Sequence, residues 1–115
     1  MMPSPHDRKE EHYAILRNYK IKAREYAWKL NKDGYIVEFF DRYPKKSNRA
    51  KLHFWQLEDF EKIRVYECND ERCPTIIDDM AYKKFFRFYA LVQRYKHEYG
   101  KKRLHEHTGE ILKDL

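Results

Sequence analysis

The sequence predicts an α+β fold: two long amphipathic helices flanking a small antiparallel sheet of about three strands, with an all-α arrangement as the rival. Three observations carry this. Two stretches, near residues 5–32 and 78–100, repeat apolar residues at steps of four and three, the period of one helix face. Gly34 is followed at once by Tyr35-Ile36-Val37-Glu38-Phe39-Phe40, a β-branched and aromatic run directly behind a helix-ending glycine. Lys62-Ile63-Arg64-Val65-Tyr66-Glu67 alternates, with Ile63 and Val65 on one side.

Each element follows from its local chemistry. Ser4-Pro5 is a helix start, a capping hydroxyl followed by proline at the first helical position. His12, Leu16, Tyr19, Ala23, Tyr26 and Leu30 then form the apolar stripe, widened by Ile15 and Ala27, and Gly34 closes the helix. Tyr35 to Phe40 reads as a strand, with a short second helix as the rival. The loop from Asp41 to Lys51 carries Pro44, Ser47 and Asn48 as breakers and five basic residues. Leu52 to Cys68 reads as two strands around a turn near Glu58-Asp59, although Leu57, Phe60 and Ile63 also match a helix. Thr75, Asp78 or Asp79 is the expected cap of the second long helix, because acids there complement the positive end of the helix dipole. In that helix Ala81, Phe85, Phe88, Val92, Tyr95 and Tyr99 make the apolar stripe, and Tyr82, Phe86 and Tyr89 run beside it. A short basic tail follows from about residue 101, in which Ile111, Leu112 and Leu115 are expected to dock loosely.

With 115 residues the chain is read as one domain, and its 38% charged and 42% hydrophobic content is that of an ordered globule. Aromatic residues reach 17%, and ten of them are Tyr, whose ring buries while the hydroxyl stays wet. No apolar run approaches the ~20 residues of a membrane span, and MMPSPHDRKEEHY lacks the apolar centre of a signal peptide. A cytoplasmic protein with no membrane partner is therefore expected, with Cys68 and Cys73 as reduced thiols.

Catalytic and metal chemistry find little support. Cys68-x4-Cys73 with His105-x-His107 offers four ligand types for zinc, but not the Cys-x2-Cys opening of a finger or knuckle. No Glu-x-Lys occurs, the one Asp-x-Lys lies in the first helical turn, and three glycines near element ends cannot build a phosphate loop. Glu38, Asp41, Glu58 and Asp59 read as solvated charge, and a Cys68 or Cys73 nucleophile with His53 or His97 rests on no motif. The expectation is no catalytic residue, no metal and no cofactor.

Ala90-Leu91, Tyr95, Tyr99-Gly100-Lys101 and His105 resemble a stretch of a phage and bacterial family of pyrimidine-dimer DNA glycosylases. The resemblance covers one amphipathic helix and implies a DNA-processing enzyme as a remote alternative. That family's catalytic N-terminal residue, exposed after Met removal, has no clear counterpart in Met1-Met2-Pro3, and its upstream motifs are missing. No functional residue is carried over.

The remaining signal is charge. The net charge is +6, and between Tyr82 and Arg103 eight Lys or Arg face one acid, Glu98. Lys83, Lys84, Arg87, Arg94, Lys101, Lys102 and Arg103 are candidates to neutralise nucleic-acid phosphates. Arg17, Lys20 and Arg24 of the first helix and Lys45, Lys46 and Arg49 of the loop would extend the footprint. Tyr82, Phe86, Tyr89, Trp55 and Tyr43 are stacking candidates, against the alternative that the aromatic stripe is core. The expected function is a small basic nucleic-acid-binding or regulatory protein. The alternative is a module of the kind phages make, binding one acidic protein partner.

Overall fold

In a computed structural model the chain is described over residues 5–41, 61–68 and 75–115. The Ser4 cap, the side chain of His12, the bases Lys45, Lys46 and Arg49, the rings Tyr43 and Trp55, the strand expected over 52–57 and Cys73 lie outside the described residues.

The architecture is α+β. Helix α1 (Pro5–Lys32) leads through a turn into β1 (Tyr35–Asp41), then β2 (Glu61–Glu67) and β3 (Thr75–Met80). Helix α2 (Tyr82–Tyr99), a 3-10 helix (Lys101–His107) and α3 (Thr108–Asp114) complete the chain. The open sheet is three-stranded and antiparallel in the order β1-β2-β3.

α1 ends where Gly34 takes φ +94°, with its N–H on the Asn31 carbonyl at 3.2 Å. That positive φ is open to glycine and strained for other residues, so the chain can reverse straight into β1. In the sheet Val37 pairs with Val65, Phe39 with Ile63, and Ile63 with Met80 across two ladders. The period of two puts these side chains on one face, where Ile63, Val65 and Met80 are buried. Leu16, Ala23 and Leu30 of α1 and Phe85, Phe88 and Val92 of α2 join them in a single apolar cluster. Tyr35 sits at its centre, fully buried, with its ring edge-on to Phe88 at 5.4 Å.

The third strand lies elsewhere than the sequence suggests. Thr75–Met80 forms β3 rather than the start of α2, whose cap position is Ala81 with no side-chain cap bond. The two aspartates that read as a helix start are held by tertiary partners instead. Asp79 lies opposite Arg64 and accepts two hydrogen bonds from its guanidinium, at 2.7 and 3.2 Å, while Asp78 meets Lys84 of α2 at 2.6 Å. The cross-strand Arg64–Asp79 pair and the helix-borne Lys84 offset the poor strand propensity of Asp.

The C-terminal segment is docked more firmly than expected. Leu104 and Ile111 are fully buried and Thr108 nearly so. Tyr95 of α2 donates its hydroxyl to Asp114 at 3.0 Å, a bond that raises the pKa of the phenol.

Candidate nucleic-acid interface

α1 and α2 meet along an aromatic seam. Tyr19 packs edge-on to Phe86, with centroids 5.5 Å apart, and Tyr26 stacks flat on Tyr89 at 3.8 Å. Sequence positions rise together along both helices in these pairs, so the two run roughly parallel. Half-buried rings supply the contact because each covers a large area while its edge stays wet. The aromatics beside the α2 stripe are thus helix-helix packing.

The exposed side of α2 begins beside that seam. Lys83, Arg87, Ala90, Arg94 and His97 recur at steps of four and three and are all exposed, and Lys101, Lys102 and Arg103 follow, exposed, on the 3-10 helix. The eight bases between Tyr82 and Arg103 are not equally available. Lys84 is held by Asp78, Lys96 by Asp33 at 2.9 Å, and Arg103 by Glu106 at 3.5 Å. Arg87 donates to the Leu115 carbonyl at 3.3 Å. Among the described residues Lys83, Arg94, Lys101 and Lys102 have no acidic partner.

α1 contributes to this side through residues that the sequence pattern does not single out. Lys22 holds its ammonium over the Phe86 ring at 4.8 Å and near Tyr26 at 5.5 Å. Lys29, one α-helical heptad on, is hydrogen-bonded to Glu25, which raises its pKa, with Tyr89 as a further cause. At ~100° per residue these two lie about 40–60° around α1 from Tyr26, on the border with α2. Arg17 and Arg24 lie about 160–180° from Tyr26 and Lys20 about 120°, so all three face away from the α2 row. They are exposed but do not continue the α2 surface. The helical-wheel alignment of Lys22 on Tyr26 is the signal for this placement; it becomes informative only once Tyr26 is known to face α2.

No family model, curated protein or solved structure matches this chain. The resemblance of residues 90–105 to the glycosylase family therefore carries no family assignment.

The histidines considered as zinc ligands have other partners. His105 bridges the α1–β1 turn and the end of β2, with Nδ1 3.2 Å from a Glu67 oxygen and Nε2 2.9 Å from the Asp33 carbonyl. The carbonyl accepts only, so Nε2 carries a hydrogen, and the Glu67 contact needs one further proton on Nδ1 or on the carboxyl. His107 stacks on Tyr99 at 3.9 Å, with Nδ1 3.3 Å from Glu110. That separation is within ion-pair range, but the direction is wrong for a hydrogen bond, and both ring nitrogens are left buried without one. Among the described residues no group of His, Cys, Asp or Glu is arranged to hold a metal ion, and Cys68 is an exposed free thiol.

Around His105 the chain builds a polar joint. Asp33, 3% exposed, takes Lys96 on one oxygen and the Gln93 amide on the other at 3.2 Å. Tyr35 and Thr108 share a buried hydroxyl bond of 3.0 Å. Burial of Tyr35 pushes its pKa up to about 12, opposed by the Thr108 bond and helped by Glu67 and Asp33. Asp33, Tyr35, Glu67 and Thr108 each have a partner from a different element, which ties the α1–β1 turn, β2, α2 and the C-terminal segment together. We read this joint as structural.

Among the described residues no helix is long and apolar enough to cross a membrane.

Proposed function

We propose that this is a small non-enzymatic nucleic-acid-binding accessory protein, acting in the cytoplasm through the exposed row of α2 and the 3-10 helix. The supporting observation is the set Lys83, Arg94, Lys101 and Lys102, exposed and without acidic partners among the described residues, beside Lys22 at the aromatic seam. A solvated helix that serves only solubility usually mixes charges of both signs, whereas between Tyr82 and Arg103 eight bases face the single acid Glu98. Phosphate contacts of this kind position a protein on a polyanion without reading its sequence. The proposed ligand is therefore DNA or RNA bound with little base preference.

Fluorescence anisotropy with labelled duplex DNA, single-stranded DNA and RNA at about 50 mM salt tests the reading. Binding that weakens steeply with salt is the expected result. No binding to any of the three probes under those conditions refutes it.

A further inference from the structure

His97 differs from the basic residues of the exposed α2 row in one respect: its charge is not permanent. Guanidinium and ammonium groups stay protonated at physiological pH, whereas an imidazole gains or loses its proton between about pH 5 and pH 8. His97 is exposed in the last turn of α2, and Lys101 and Lys102 follow it, exposed, on the 3-10 helix. Arg94, also exposed, stands three residues before it, about 4.5 Å along the helix axis and on the same side. A phosphate backbone that meets Arg94 is thus within reach of His97 as well.

Among the described residues the His97 ring has no hydrogen bond, ion pair or ring contact. His105 and His107, by contrast, are engaged by Glu67 and by Tyr99. The charges around His97 leave it without an anion. On α2 its neighbours are Arg94, Lys96 and Glu98, and Glu98 points about 100° away around the helix. From the α1–β1 turn comes Asp33, whose carboxylate is taken by Lys96 and Gln93. At the end of α1, Lys29 is held by Glu25 and Lys32 lies over the Trp28 ring. The acids of α3 go to the opposite flank of α2, Asp114 to Tyr95 and Glu110 to the side of His107. A bound phosphate is the anion that would complete an imidazolium at this position.

We propose that His97 makes nucleic-acid binding proton-linked: as imidazolium it adds one phosphate contact to the row, and as imidazole it leaves that contact unmade. This rests on the nucleic-acid reading of α2 and adds the regulation of that surface. The linkage has a fixed sign. A polyanion favours imidazolium over imidazole, so binding takes up a proton and tightens as pH falls through the imidazole range. The phosphodiester keeps its negative charge throughout that range, so the change belongs to the protein.

The experiment titrates the full chain into a rhodamine-labelled DNA duplex at about pH 6 and about pH 8, each over a range of salt. At about 50 mM salt the wild type is expected to bind up to about tenfold tighter at the lower pH. Its slope of log affinity against log salt should be steeper there by about one. The chain has six histidines, so two variants assign the effect to position 97. His97→Gln is expected to lose the pH dependence and to bind as the wild type does at the higher pH. His97→Lys is expected to lose it too, but to bind as the wild type does at the lower pH. Calorimetry near pH ~7 in buffers of different ionisation heat should show up to about one proton taken up per duplex bound, and none in His97→Gln. Position 97 is on the surface, and unchanged circular dichroism shows that the fold is kept. Equal wild-type affinity and slope at the two pH values overturn the proposal while the nucleic-acid reading stands. So does a pH dependence that survives in His97→Gln. Absence of binding at both pH values overturns the nucleic-acid reading itself, and this inference with it.

Discussion

The imidazole of His105 fills the space that a side chain on Gly34 would occupy: a Cβ built on Gly34 collides with His105 Nε2. The two residues are far apart in sequence, and their fit closes the C-terminal segment against the α1–β1 turn. Gly34 is thus required twice, for its φ of +94° and for its missing side chain. Gly34→Ala is expected to cost about 1–3 kcal/mol from backbone conformation alone. The collision adds to that cost, so the loss should be smaller in a His105→Ala background by about 1 kcal/mol. Urea denaturation of the four proteins of this cycle measures the coupling, and strictly additive losses would exclude the collision.

Phe88 is fully buried in the apolar cluster, against the ring of Tyr35. Phe88→Ala is expected to lower stability by about 3–5 kcal/mol, because the cavity left in a closed apolar cluster cannot refill. An unchanged melting temperature would contradict the burial.

Tyr35 gives the fold an alkaline limit. Its pKa is raised to about 12 by burial, whereas the unfolded phenol titrates near 10. The folded state therefore favours the protonated ring: its contribution is fully present below pH ~10 and is lost as pH rises from ~10 to ~12. Tyr35→Phe should remove this part of the alkaline decline and cost about 1 kcal/mol at neutral pH through loss of the Thr108 bond. Denaturation midpoints of both proteins at several values between pH 8 and pH ~12 decide this, and parallel declines would refute it.

Lys96 and Lys83 are both lysines of α2, yet their substitutions should read out differently. Lys96→Ala strips the buried Asp33 carboxylate of its cation and leaves it the Gln93 amide, so a stability loss of about 1–3 kcal/mol is expected. Lys83→Ala should move stability by about half a kcal/mol or less. Thermal melts of the two variants make the comparison, and equal losses would contradict the Lys96–Asp33 pair.

The exposed row of α2 gives the test of binding. Changing Lys83, Arg94 and Lys101 together to Ala should reduce the slope of log affinity against log salt by up to about three, near one for each phosphate no longer neutralised. Lys84→Ala should change that slope less, because Asp78 already neutralises the ammonium. Slopes identical in the triple variant and the wild type would remove α2 as the nucleic-acid surface.

Local chemistry alone determined α1 and favoured strands over their helical rivals at β1 and β2, since each is written in a period and a terminator that act over neighbouring residues. The α1 stripe of Leu16, Ala23 and Leu30, the Gly34 stop and the Ile63–Val65 alternation are of this kind. The tertiary structure decided the rest. Asp78-Asp79 is compatible with a helix start by its own propensity, but here it pairs as a strand with β2, where Arg64 lies opposite Asp79 and neutralises it, while Lys84, six residues on, meets Asp78. The same holds for the surface. A count of bases cannot distinguish Lys84 and Lys96, held by acids, from Lys83 and Arg94, which among the described residues are not. Nor can it show that Lys22, rather than Arg17 or Arg24, borders α2. Charge is a property of the residue, but its availability depends on which partners the fold brings within a few ångströms.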